Sequence, residues 1–288
     1  MISGASRSGR LRSPRRPALW GLFLVLALSA GGCISRLQEA KLHYAEGQRF
    51  SGLYQTEKAL ASYQRALLEA AAEAESRPSG QAFLLKGLAE INLEKWKDAE
   101  RSFLDAAAYG FDEGEEWAQQ VSILGLTETF EELGFGDAAL QSYSYLLGRS
   151  KLRPVLFRSA LKYTEAMLSA ARAGSGPERA KKLSSALDTV SRLSEKDFGC
   201  GYYHYLQSQI LGHLGEHGRS FEQAALAREM KLPSEKISRD NDLQIVFCYR
   251  ELKRSLPAGE FTAFECRYSK WARKWGWPGP ETPDWKKE

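Results

Sequence analysis

Ala59, Ala99, Ala139, Ala180 and Ser220 follow one another at intervals of 40, 40, 41 and 40 residues. So steady an interval restricts the chain to repeat architectures, in which each unit is one supersecondary element that cannot bury its apolar face alone and stacks on the next. A helical hairpin fits that length. The small residues then let two helix backbones approach, and aromatic residues fill the space between units.

The local patterns identify the unit. In "GQRFSGLYQTEKALASYQRAL", Gly47, Phe50, Ala59, Tyr63 and Ala66 have the form G-x2-F-x8-A-x3-Y-x2-A. A second copy keeps Gly87, Ala99, Phe103 and Ala106, with Trp96 in the turn and Glu90 where an aromatic residue would stand. A third has Phe130, the turn pair Leu133 and Gly134, Ala139 and Tyr143, with Thr127 in place of the glycine. Looser copies surround Ala180 and Ser220, the latter with Ala227. The pattern resembles the tetratricopeptide repeat, whose period is about 34 residues. The longer period is accommodated in "LLEAAAEAESRPSG", which implies a longer second helix ending near Arg77, Pro78 and Gly80. The resemblance covers roughly 39–232 and implies an all-α fold, a TPR-like helical-hairpin solenoid of about five repeats, followed by C-terminal capping helices in 233–288. Gly47 and Gly87 fall inside first helices, where glycine costs about 1 kcal/mol relative to alanine, so close packing must offset them.

The amino terminus reads differently. Arg7, Arg10, Arg12, Arg15 and Arg16 occur without an acidic residue and precede an apolar run from Ala18 to Ala30. This is the layout of an export signal, and the run is too short to cross a hydrocarbon core of about 30 Å as a helix. Ala30, Gly31, Gly32 and Cys33 resemble the bacterial lipobox, although Ala30 stands where leucine is usual. The resemblance implies a signal peptide over 1–32, a lipid on Cys33 and a short tether over 33–38. The competing reading is an ordinary signal peptide that leaves Cys33 as a plain thiol. Ile34 stands where an inner-membrane retention signal would place aspartate, which favours the outer membrane. Leu37, Ala40, Tyr44 and Gly47 then recur at spacings of three and four, so the first repeat is expected close to the lipid head groups.

Export also changes the meaning of the charge. The chain has 40 basic and 36 acidic residues, but five of the basic ones lie in the signal, leaving 35 against 36. The basic balance therefore gives no support for a nucleic-acid partner. Besides Cys33 only Cys200, Cys248 and Cys266 are present, which allows one disulfide and a free thiol but no disulfide framework.

Beyond Pro233, a helical stretch from about Asp242 to Leu256 leads into a segment where Phe261, Phe264, Tyr268, Trp271 and Trp275 recur at helical spacing. One aromatic helix face at the end of a solenoid reads as a cap. Its rival is a second membrane contact, since Arg267, Lys270, Arg273 and Lys274 surround the same helix. The tail "WPGPETPDWKKE" reads as extended.

A search for catalytic chemistry finds one candidate, "HLGEH" at 213–217, which matches H-x-x-E-H. Zinc chemistry there requires both imidazoles on one face of a continuous helix. Leu214 and Gly215, however, occupy the turn position filled by Leu133 and Gly134 in the third copy. The alternatives are thus a zinc-dependent hydrolase using this segment, or two turn histidines in a non-enzymatic adaptor that needs no cofactor and no metal. His43 and His204 stand alone.

In proteins of the family resembled, first helices line a groove that takes an extended peptide or a partner helix. Carried over by register, the resemblance implies a groove presenting Lys41, Tyr44 and Gln48 from the first unit and Gln81, Leu84 and Asn92 from the second. The third supplies Glu128 and Glu132, the fourth Lys162, Glu165 and Arg172, and the fifth Tyr202, Tyr205 and Gln209. Tyrosines, amides and charges of both signs favour a protein or peptide partner over one small ligand. A site close to the bilayer suits a partner that is itself membrane-bound. The expected role is a membrane-anchored periplasmic scaffold in envelope assembly, secretion or transport.

If Cys33 is acylated, Cys33→Ser should release soluble protein and abolish incorporation of labelled fatty acid. Membrane attachment that persists with the signal uncleaved would contradict the lipid anchor.

Overall fold

The computed structural model describes residues 35–283 except 198, 231 and 280. Cys33 and the apolar run before it lie outside the described residues. Twelve helices account for most of the described chain, with a single isolated bridge between Gly279 and Thr282. The helices divide between two compact units, one ending at Ser142 and the other beginning at Tyr143.

The first unit contains α1 (Arg36–Gly52), α2 (Thr56–Ser76), α3 (Gly80–Asn92), α4 (Trp96–Tyr109) and α5 (Glu116–Glu132). Helix α6 (Gly136–Arg149) follows and runs across the boundary. Local chemistry sets the ends. Ser35 caps α1 in a reciprocal box with Gln38, whose backbone N–H lies 3.3 Å from the Ser35 hydroxyl. Ser79 caps α3 singly, its hydroxyl accepting from the Ala82 N–H. The cap on α1 moves the expected tether boundary: 36–38 already belong to the first helix. Helix α2 stops at Ser76, ahead of Arg77 and Pro78 as the sequence implies.

Rings seated on glycines hold this unit together. A Cβ on Gly47 would lie 2.6 Å from the Tyr63 ring, so the first helix of the first hairpin accepts that ring only because it has no side chain there. Phe103 is gripped twice. A Cβ on Gly87 would lie 2.9 Å from its ring, and one on Gly125 of the following hairpin 2.4 Å. Thr127, read from the sequence as the residue replacing the third glycine, is buried nearby, but the ring seat is Gly125. Ala59 and Ala99 are buried as expected. Glu90 also points inward and accepts a 2.6 Å hydrogen bond from the Ser102 hydroxyl. Burial raises its carboxyl above the ordinary range, more than that bond and Lys86 lower it.

The second unit contains α7 (Arg153–Ala173), α8 (Gly176–Lys196), α9 (Gly201–Leu214), α10 (His217–Glu229), α11 (Glu235–Ser255) and α12 (Ala258–Lys274). The fourth copy needs a correction. Ala180 is exposed, while Leu183 and Ala186 are buried at 1% and 0%. The repeat stays in step through its ring position, since Tyr63, Phe103, Tyr143 and Leu183 lie 40 residues apart. The small-residue position then falls on Arg179, which reaches out and donates to the His213 carbonyl at 3.0 Å.

The period continues to the end of the helical region. Phe264 lies 40 residues after the buried Ala224, and Tyr249 of α11 donates to Glu265 of α12 at 2.7 Å and packs on Tyr268, so the two helices pair as a further hairpin. Helix α11 begins at Glu235, behind the cap Ser234, well ahead of the Asp242 start expected from the sequence. Phe264 and Tyr268 are buried with Phe221, Val246, Tyr249 and Leu252. The aromatic face of α12 is thus largely spent on the protein's own core, and Lys274 pairs with Glu229. The beginning of the tail, expected to be extended, is tied back: Trp277 is buried, Arg228 lies over the Trp275 and Trp277 rings, and Arg250 meets Glu281 at 2.6 Å.

Two substitutions test this packing. Gly125→Ala should cost about 1 to 3 kcal/mol by driving a methyl group into Phe103. Gly52→Ala, which meets nothing within 4 Å, should be neutral or stabilising. Equal unfolding midpoints for the two variants would contradict the ring seat. A third concerns pH. Because the folded protein holds the Glu90 proton more tightly than the unfolded chain, stability falls as pH rises from the unfolded carboxyl value through the raised folded one. Glu90→Gln keeps an acceptor for Ser102 and should raise the thermal midpoint at pH 7, with the gain fading in acid. A gain that persisted unchanged in acid, or a loss at pH 7, would contradict burial as the dominant effect on Glu90.

Candidate functional site

The first helices of the first unit carry a connected polar face. Lys41 on α1 donates to Gln81 on α3, 40 residues later, at 2.6 Å, and Gln81 donates in turn to Glu115, the residue before α5. Burial lowers the affinity of Lys41 for its proton, and the Glu115 charge partly restores it. A second cluster lies further along the same helices. Gln48 donates to the Tyr44 hydroxyl at 3.0 Å, and Asn92 approaches that oxygen at 3.4 Å. Burial pushes the Tyr44 phenol far above its ordinary value, with Tyr63 and Glu128 adding to the effect against the two amide donors. Gln48 is 5% exposed, and its side-chain oxygen is buried with no donor among the described residues.

This arrangement joins Lys41, Tyr44, Gln48, Gln81 and Asn92, all named from the repeat register. Leu84 is a correction: at 2% exposure it belongs to the core, in line with Tyr44 and Leu124 at intervals of 40 residues. Glu128 acts on Tyr44 through its charge, whereas Glu132 is exposed near the end of α5. Glu115 was not foreseen. It stands among several acids in "FDEGEEW", and nothing in that run marks which of them faces Gln81.

In the second unit the corresponding face is aromatic. Tyr202 and Tyr205 stack with centroids 6.2 Å apart and planes inclined by 23°. Phe157 of α7 lies against Tyr202 at 5.2 Å and Tyr203 at 5.5 Å. Lys162 is another correction to the expected surface: it is 3% exposed and lies 4.0 Å from Glu165, whose side chain remains half open to solvent. Arg172 is exposed. Gln209 donates to Gln244 of α11 at 3.4 Å, and Gln244 donates to Ser220 at 3.0 Å. Helix α11 therefore supplies a third first-helix face, with Asp240 and Gln244, which register alone did not identify. Its sequence carries no small-aromatic signature from which to extend the repeat.

The HLGEH segment is broken in the middle. Helix α9 ends at Leu214, Gly215 adopts a left-handed conformation at φ 80°, and His217 opens α10. The two imidazoles thus stand on different helices. Burial, then the charges of Arg172 and Arg179, make His213 harder to protonate. His217 lies edge-on to Phe247 at 5.5 Å. Among the described residues no group of three or more His, Cys, Asp or Glu side chains is placed to hold a metal ion. Cys200, Cys248 and Cys266 are all free, the first two buried and the third exposed. No described helix is long and apolar enough to cross a membrane.

No family model matches the chain, and no curated protein matches it. Among solved structures it is similar to YrrB, described as a TPR protein with an unusual peptide-binding site, at 18% identity over 69% of this chain and 89% of that one, with a TM-score of 0.39. It is also similar to PilF of Pseudomonas aeruginosa, at 14% identity over 81% of this chain and 99% of that one, with a TM-score of 0.47. The paired helices, the 40-residue register and the rings seated on first-helix glycines make the fold all-α, of the TPR-like helical-hairpin class.

Proposed function

We propose that the protein is a non-enzymatic scaffold that binds a polypeptide on its first helices and is held by a lipid on Cys33 at the periplasmic side of a bacterial membrane, the outer membrane in preference to the inner. The observation that carries the binding role is the polar face of the first unit. It offers donors and acceptors of several kinds across three successive first helices. The broken HLGEH segment supports the adaptor over a zinc hydrolase. Envelope assembly, secretion or transport of a membrane-bound partner is the role that a short tether favours.

Site-specific photo-crosslinking in native membranes tests this reading. A photoreactive residue at Gln81 should give a discrete adduct that Asn92→Ala weakens. The same probe at Arg101, exposed on α4, should not give that adduct. Identical adducts from both positions would contradict binding on the first helices.

A further inference from the structure

The two units offer different chemistry to a bound chain. In the first, Glu115 is engaged by Gln81, and Lys41 lies on the same face. In the second, Tyr202 and Tyr205 stack on α9. Glu165 of α7 precedes Tyr205 by one 40-residue period, and Asp240 of α11 lies one turn before Gln244 as Tyr205 lies one turn before its partner Gln209, so the register sets a carboxylate on each neighbouring first helix beside Tyr205. Tyr202 is 3% exposed, whereas Tyr205 is partly exposed. Neither phenol is hydrogen-bonded among the described residues. Burial, then Asp240 and Glu165, raise the Tyr205 phenol well above its ordinary value. Glu165 faces the buried Lys162 at 4.0 Å yet keeps 53% of its side chain exposed. Asp240 forms no ion pair among the described residues. One and two turns further along α11, Leu243 and Phe247 are exposed at 44% and 43%.

We propose that this face of the second unit binds a polypeptide segment through an arginine or lysine side chain laid against Tyr205 between Glu165 and Asp240, with a neighbouring apolar residue on Leu243 and Phe247. The aromatic face attracts a cation. The carboxylates supply charge-assisted acceptors, and a guanidinium can meet them in a planar, two-pronged contact. The exposed pair Leu243 and Phe247 gives the segment an apolar contact beside the charged one. This rests on the reading that first helices bind polypeptide, and it adds which side chain the second unit selects.

The full-length protein, purified in detergent, can be titrated with three pools of unstructured peptides that are identical except for a central Arg-Leu, citrulline-Leu or Glu-Leu pair. The arginine pool should bind about tenfold more tightly than the neutral, isosteric citrulline pool, and the glutamate pool more weakly still. Asp240→Asn and Glu165→Gln should remove most of that preference. Tyr205→Leu should do the same; if that variant fails to fold by circular dichroism, the two carboxylate variants carry the test. Equal binding of all three pools would overturn the cation site and leave the proposed function standing. An arginine preference unaffected by both carboxylate variants would overturn it as well. No binding by any pool would overturn both readings.

Discussion

The structure depends on aromatic rings resting where a first helix has no side chain. Tyr63 occupies the space over Gly47, and Phe103 lies between Gly87 and Gly125, each at a distance that a methyl group would close. Glycine inside a helix is unfavourable by about 1 kcal/mol, and the buried ring offsets that cost by removing apolar area from water while bringing the helices close. Phe103 touches glycines of two successive hairpins and so fixes the distance between them as well as the pairing within one. That distance brings Gln81 of α3 within hydrogen-bond reach of Glu115, at the head of α5.

Much of this was legible in the sequence because ring and small residues recur in step. Ala59, Ala99 and Ala139 are all buried, as are Tyr63, Phe103 and Tyr143. The left-handed turn at Gly215 was readable for the same reason, since it falls where Gly134 falls in an earlier copy. Ala180 misled because α8 stays exposed through Lys181, and the register is carried instead by Leu183. Gly125 was missed because the glycine seat is chosen by the ring of the preceding hairpin, which the residues of its own hairpin do not specify.

The candidate site was less legible than the fold. Register placed Lys41, Gln48, Gln81 and Asn92 on one face, and their hydrogen bonds connect there. It also placed Leu84 on that face, because a helical register names positions one turn apart with equal ease and only packing separates core from surface. The α11 contribution was hidden for another reason. Gln244 reaches Ser208, Ser220 and Cys248 through a polar cluster that carries no apolar periodicity. The cysteine there is held protonated by burial, its thiol pushed up to about 11, and acts as a packed polar atom rather than a nucleophile.

The central physical claim is that a ring and a glycine act as one energetic unit, which a double-mutant cycle on Gly87→Ala and Phe103→Leu measures directly by denaturant unfolding. The account predicts strong coupling, of about 0.5 to 3 kcal/mol, with the cost of the added methyl largely relieved once the ring is gone. Additive effects within about 0.3 kcal/mol would mean that Phe103 and Gly87 contribute independently, and would contradict the packing on which the repeat spacing rests.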